Sequence, residues 1–148
     1  MIKLIIIIFL IFPYSIFADE TAQEKKVAKY VMENIQRDYV NCYSFYIVAA
    51  ESFRKSGKDK TILKSLEKSA DVALKYNYDL GEIMGLNPEV MAQMTKDKVN
   101  EFVKLANKDF PSLAKSYGLV CKNLVENPKD RTNYWEKKGK KTFKWKKI

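Results

Sequence analysis

Apolar side chains recur at helical spacing along most of the chain, most clearly between residues 21 and 55. Steps of three and four residues connect Ala28, Met32, Ile35, Tyr39, Cys42, Tyr46, Ala49 and Phe53. A stripe with a period of about 3.5 residues forms one face of an amphipathic helix. Residues 21–24 (TAQE) match a capping box at its start, and Ser56 and Gly57 follow its end. The pattern predicts a long first helix, central in a bundle.

Three further helices are predicted at residues 60–80, at residues 88–108, and from a joint at residues 109–111 to residue 126. Asn87 and Pro88 suit the N-cap and first position of the third helix. The joint is placed at Phe110-Pro111, because the residue before a proline disfavours helical geometry. Residues 129–138 predict one or two more helical turns, and no stretch alternates long enough to indicate a strand. The fold class is therefore all-α, a small bundle of four to five helices.

The first 18 residues have the pattern of a secretory signal peptide. Lys3 precedes an unbroken apolar run at residues 4–12, and the segment ends at Ala18. As a helix this run measures about 13 Å, against roughly 30 Å for the bilayer core, so a spanning anchor or a buried strand is the weaker interpretation. We expect cleavage after Ala18, no transmembrane span in the mature form, and an exported protein in a periplasm or outside the cell. The predicted domains are a signal peptide (1–18), a helical domain (19–136) and a basic, flexible tail (137–148).

The chain has two cysteines, Cys42 in the stripe of the first helix and Cys121 on the apolar face of the fourth. Disulfides persist in exported compartments, and both positions face the predicted core. We therefore expect one structural disulfide between helices. Two buried free thiols are the alternative. Redox catalysis is disfavoured, because a catalytic pair usually has the short Cys-X-X-Cys spacing.

The composition excludes several kinds of active site. The 148 residues include no His and only five Gly, so there is no imidazole base, no His metal ligand and no Gly-rich phosphate loop. We expect no metal and no cofactor. The carboxylates lie mostly near lysines at helical spacing, and none was placed on an apolar stripe. A carboxylate-dependent hydrolase stays open as a minor alternative, because sequence alone does not give the distance between two carboxylates.

The formal charge of +9 is concentrated at the C-terminus, where the last twelve residues hold seven lysines and no acid. Residues 19–136 carry 19 bases and 18 acids, so the body is nearly neutral. Lysines interleaved with aromatic residues favour contact with anionic surfaces such as a membrane or envelope polymer. A solvated, frayed terminus is the plain alternative, and no nucleic acid is expected of an exported chain. The candidate residues are Lys137, Lys138, Lys140, Lys141, Phe143, Lys144, Trp145, Lys146 and Lys147.

Aromatic side chains crowd the second half of the first helix, and four of them are candidate contacts for a ligand or partner: Tyr39, Tyr43, Tyr46 and Phe53. Ordinary core packing is the competing interpretation. Taken together, the sequence predicts a non-catalytic exported binding or interaction protein that contacts anionic envelope surfaces through its Lys-rich tail. A carrier of small apolar ligands, with an aromatic-lined pocket near these tyrosines, is the main alternative.

Overall fold

A computed structural model of the chain describes residues 15–57 and 59–144, with side chains from residue 22 onward. It contains four helices, α1 (Ser15–Lys55), α2 (Lys60–Ile83), α3 (Pro88–Glu126) and α4 (Pro128–Thr142). The described residues contain no strand. The all-α helical bundle expected from the periodicity is therefore confirmed.

The first helix begins earlier than the sequence pattern predicted. α1 starts at Ser15, so Thr21 lies inside the helix and does not cap it. Neither Gly nor Pro occurs between Ser15 and Thr21, so the backbone can continue as a helix through the predicted cap. Most of the predicted signal peptide, residues 1–14, lies outside the described residues, and Ala18 lies in the first turns of α1.

The turn between α2 and α3 is formed by a glycine with positive φ and by the N-cap that the sequence predicted. Gly85 adopts a φ of +72°, which allows its N–H and that of Leu86 to bond back to the carbonyls of Glu82 and Gly81 at 2.9 and 2.8 Å. The side chain of Asn87 then accepts a hydrogen bond from the N–H of Glu89 at 2.8 Å and caps α3. The N-cap predicted at this position is confirmed.

α3 consists of two halves that meet at Asp109, whose φ and ψ of −161° and 85° are not helical. The Asp109 carboxylate accepts the N–H of Ser112 at 3.0 Å and so caps the second half. The rings of Phe102 and Tyr117 lie 4.7 Å apart, although 15 residues of straight helix would span about 22 Å. The second half therefore folds back on the first. The joint predicted at residues 109–111 is confirmed, and the bundle has five helical segments.

α1 is the central helix, because it contacts α2, α3 and α4, whereas no contact joins α2 to α4 in the described residues. A disulfide links Cys42 of α1 to Cys121 of α3, with a Cα–Cα distance of 5.2 Å, and both cysteines are fully buried. The predicted disulfide is therefore confirmed. The core around it contains Ile35, Tyr39, Phe45, Tyr46, Ala49, Ala70, Ala73, Phe102, Leu113 and Leu124.

Candidate interaction surface

α4 is attached to α1 by a carboxylate that the sequence analysis did not single out. Asp38 of α1 accepts two hydrogen bonds from the guanidinium of Arg131, at 2.6 and 3.1 Å, and one from the indole N–H of Trp135 at 2.5 Å. Only 11% of the Asp38 side chain is exposed, so these bonds replace the water that the carboxylate loses. The bond to Asp38 raises the pKa of the Arg131 guanidinium.

Asp38 is buried although it lies outside the apolar stripe of α1, so the stripe gave no sign of its burial. Its position follows from the long, broad interface of α1, which buries polar residues on the side covered by α4 and α2. Arg131 lies 93 residues away in sequence, so no local spacing connects it to Asp38. A buried polar residue with a distant partner gives no signal in helical periodicity.

Further along the interface between the two helices, α4 approaches α1 closely at Gly139. A Cβ atom on Gly139 would lie 3.1 Å from the Tyr30 ring and 3.2 Å from a Val27 methyl, so hydrogen is the only substituent that fits without movement. The Tyr30 ring also makes edge contacts with Trp135 at 6.0 Å and with Phe143 at 5.9 Å. These contacts fix the C-terminal half of α4 beside the N-terminal half of α1.

The C-terminal half of α4 and the residues just after it carry exposed lysines. We call them the α4 lysine face, and they are Lys137, Lys138, Lys140, Lys141 and Lys144. Lys140 pairs with Glu136, and the Lys138 ammonium lies 4.9 Å from the centre of the Tyr134 ring. No described carboxylate bonds Lys137, Lys141 or Lys144. Residues 137–144 contain no acid, so this face has a positive field.

The segment predicted as a flexible tail is described up to Lys144 and is partly helical. Residues 137–142 continue α4, and Phe143 is half-buried against Tyr30. The helix extends because Gly139 allows close packing, which overrides the low helix propensity of a glycine. Trp145, Lys146, Lys147 and Ile148 lie outside the described residues.

The aromatic residues predicted as contacts lie in and beside the core. Tyr39 and Tyr46 are buried, Tyr43 and Phe53 are partly exposed, and the Tyr39 ring stacks on Tyr76 at 5.1 Å. Burial, with smaller contributions from neighbouring groups, raises the pKa of Tyr39 to about 12, and burial also raises the pKa of Tyr46. Packed positions of this kind leave little surface for a ligand.

Two clefts adjoin the N-terminal half of α1 and share Met32. One has a volume of about 390 Å³ and is lined by Val27, Ala28, Val31 and Met32 of α1 and by Thr132, Glu136 and Lys140 of α4. The other has a volume of about 730 Å³ and is lined by Met32, Gln36, Arg37, Met84, Leu86 and Met94, among others. Neither cleft is lined by Tyr39, Tyr43, Tyr46 or Phe53.

A chain of amides and a hydroxyl crosses the interior between α1, α2 and α3. The Gln36 side chain donates to Asn77 at 2.6 Å, and Asn77 donates to Thr95 at 3.2 Å. Asn77 is fully buried on α2, and both of its partners come from other helices. All the buried side-chain polar atoms of the described residues have hydrogen-bond partners. Because the bonds between Gln36, Asn77 and Thr95 join three helices, they stabilise the register of these helices relative to one another.

Among residues 15–57 and 59–144, no group of three or more Cys, Asp or Glu side chains is placed to hold a metal ion. In that same part of the chain, no helix has both the length and the apolar character needed to cross a membrane. No protein-family model, curated protein or solved structure matches this chain. The candidate surface therefore has to be interpreted from its own geometry.

Proposed function

We propose that this chain is an exported, non-catalytic helical protein that binds anionic envelope surfaces through the α4 lysine face. The observation that carries the proposal is the cluster of exposed lysines without a carboxylate at residues 137–144, on a helix fixed to the core. Because Asp38 and Gly139 hold α4 in place, these charges lie on an ordered surface. An ordered set of charges pays less conformational entropy on binding than a frayed terminus.

Export is supported by two features. The first 18 residues have the pattern of a signal peptide, and the Cys42–Cys121 disulfide is of the kind that persists outside reducing compartments. An exported protein meets membrane lipid and acidic envelope polymers, whose charge is opposite to that of α4. Because lysine contributes about 1 kcal/mol near an anionic bilayer and salt screens it, binding is expected to weaken steeply with ionic strength.

The test is cosedimentation with vesicles of phosphatidylcholine alone or mixed equally with phosphatidylglycerol. The chain is expressed from Met1, and the N-terminus of the purified protein is read by mass spectrometry. We expect binding only to the mixed vesicles, and at low salt. The variant K137Q/K141Q/K144Q should bind roughly a hundredfold more weakly, which corresponds to about 3 kcal/mol for three lysines.

The matched control is K60Q/K64Q/K68Q, which removes three exposed lysines at similar spacing from α2 and changes the net charge equally. It should retain binding within a few-fold of the unmodified chain. If both triple variants lose binding equally, only net charge matters, and the α4 lysine face is not the contact. If the unmodified chain does not bind, the proposed function is wrong. Substitution is preferable to deleting residues 137–148, since deletion would also remove the Gly139 contact.

A carrier of small apolar ligands is the second candidate, and the cleft beside Met32, Met84, Leu86 and Met94 is the observation in its favour. Methionine side chains adapt to different ligands. A fluorescent fatty acid titrated into the protein tests this role. Saturable binding that M84Q/M94Q weakens tenfold would support it, and no saturable binding would exclude it.

A further inference from the structure

The turn between α2 and α3 exposes apolar side chains at the same end of the bundle as the α4 lysine face. We call Ile83, Met84, Leu86 and Val90 the apolar turn. Ile83 is 69% exposed and Val90 is 50% exposed, on either side of the tight bend at Gly85. Because Ile83 and Val90 remain largely exposed, they gain only part of the free energy that full burial would give.

The α1 segment from residue 24 to residue 37 connects the two surfaces. Met84 and Leu86 line a cleft with Met32, and Lys140 lines the neighbouring cleft that Met32 also borders. Gly139 meets Val27 and Tyr30 only a few residues away. Residues 24–37 of α1 span about 20 Å, so the apolar turn and the α4 lysine face adjoin the same stretch of this helix.

This end of the bundle is basic overall. Residues 24–37, 82–90 and 136–144 contain nine Lys and Arg side chains and five carboxylates. The five are Glu24, Glu33, Glu82, Glu89 and Glu136. Glu82 and Glu89 flank the apolar turn directly. Electrostatic attraction to an anionic surface therefore comes from the lysines on α1 and α4. Any binding free energy gained at the turn itself has to come from burial of apolar side chains.

We propose that the apolar turn inserts Ile83 and Val90 into the interfacial region of an anionic bilayer while the α4 lysine face contacts its headgroups. This inference rests on the proposed function and specifies a lipid bilayer as the anionic surface. Basic residues beside exposed aliphatic side chains are the combination that peripheral membrane contacts use, with charge for attraction and apolar area for retention.

The first experiment compares I83S/V90S with I62S/L119S in the vesicle assay. Ile62 and Leu119 are 45% and 69% exposed, so the control removes similar apolar surface from other parts of the bundle. We expect I83S/V90S to bind mixed vesicles about tenfold more weakly with an unchanged salt dependence, because only an apolar contribution is lost. The control should bind as the unmodified chain does.

The second experiment measures depth with brominated lipids, which quench tryptophan inside the bilayer. I83W should be quenched in excess of the unmodified chain, and L119W should not, with the native tryptophans giving the same background in both. Unmodified protein that binds mixed vesicles, together with full binding by I83S/V90S and no excess quenching of I83W, would overturn the insertion and leave the proposed function standing.

Two other results are equally decisive. Failure of the unmodified chain to bind any vesicle would refute the proposed function itself. A change from dimer to monomer in I83S/V90S, without a change in lipid binding, would assign the apolar turn to a second copy of the chain and overturn the insertion.

Discussion

The attachment of α4 through Asp38 gives the sharpest quantitative prediction. Replacing Asp38 with asparagine keeps the shape of the side chain but removes its charge and one acceptor oxygen. The amide then presents an N–H toward the guanidinium of Arg131 or the indole of Trp135, so at least one of the three bonds is lost. Arg131 is left with a charge that is only 26% exposed and no longer paired.

The expected cost follows from this geometry. Hydrogen bonds to charged groups contribute about 1.5–3 kcal/mol, and removing one member of a fully buried ion pair costs about 3–5 kcal/mol. Because Arg131 is partly hydrated, we expect D38N to lower the free energy of unfolding by about 2–3 kcal/mol. Urea denaturation followed by circular dichroism measures this value from the transition midpoint and slope.

The control is E51Q, which breaks the contact between Glu51 and Arg54 on the surface of α1. Those side chains are 46% and 52% exposed, so solvent screens the pair and the loss should be clearly smaller than that of D38N. A double-mutant cycle of D38N with R131Q should give a coupling energy above about 1 kcal/mol. The reasoning is refuted if D38N costs no more than E51Q, since burial would then have no effect on the strength of the contact.

Three further predictions concern the core and the packing of α4. C42A/C121A should lose about 4–5 kcal/mol in urea denaturation, because Cys42 and Cys121 close a loop of 79 residues, and reduction of the unmodified chain should cost a similar amount. G139L should lower the free energy of unfolding by about 1–3 kcal/mol through overpacking. G118A should raise it by about 0.5–1 kcal/mol, because a Cβ on Gly118 meets its nearest neighbour at 3.8 Å. Equal melting temperatures of the two variants would contradict this. In ultraviolet titration the phenol of Tyr39 should ionise near pH 12, and this ionisation step should be missing in Y39F. Because its pKa is raised above 10 on folding, Tyr39 should favour unfolding as pH rises from 10 toward 12, and stability unchanged by Y39F over that range would contradict the assignment.

Much of the fold was predictable because its signals are local. The repeat that includes Ile35 and Ala49 indicates one face of a helix from residue types alone. Asn87 can cap a helix with its own side chain, and Pro111 disfavours helical geometry at the residue before it. The start of α3 and its joint could therefore be placed without knowledge of neighbouring helices. The disulfide was also predictable, although only from the compartment and the number of cysteines, not from any measured proximity.

The lysine cluster of the candidate surface was predictable from composition, but its ordered form was not. Nothing near Lys137 in sequence indicates that Gly139 fits against Tyr30 or that Arg131 reaches Asp38. Those contacts join residues about 90 or more positions apart, and they decide that residues 137–142 are helical. For Tyr39 the stripe already allowed a place in the core, and the packed structure decided between that and a ligand contact.

The sequence by itself determined the helices, their main joints, the pairing of two cysteines and the excess of lysine at the C-terminus. The tertiary structure decided which polar residues are buried, and it placed Ile83 and the α4 lysine face at the same end of the bundle. The physical reason is the distance along the chain over which each interaction acts. Backbone stereochemistry and periodic burial act within a few residues, whereas a hydrogen bond or an exposed surface depends on how distant helices meet.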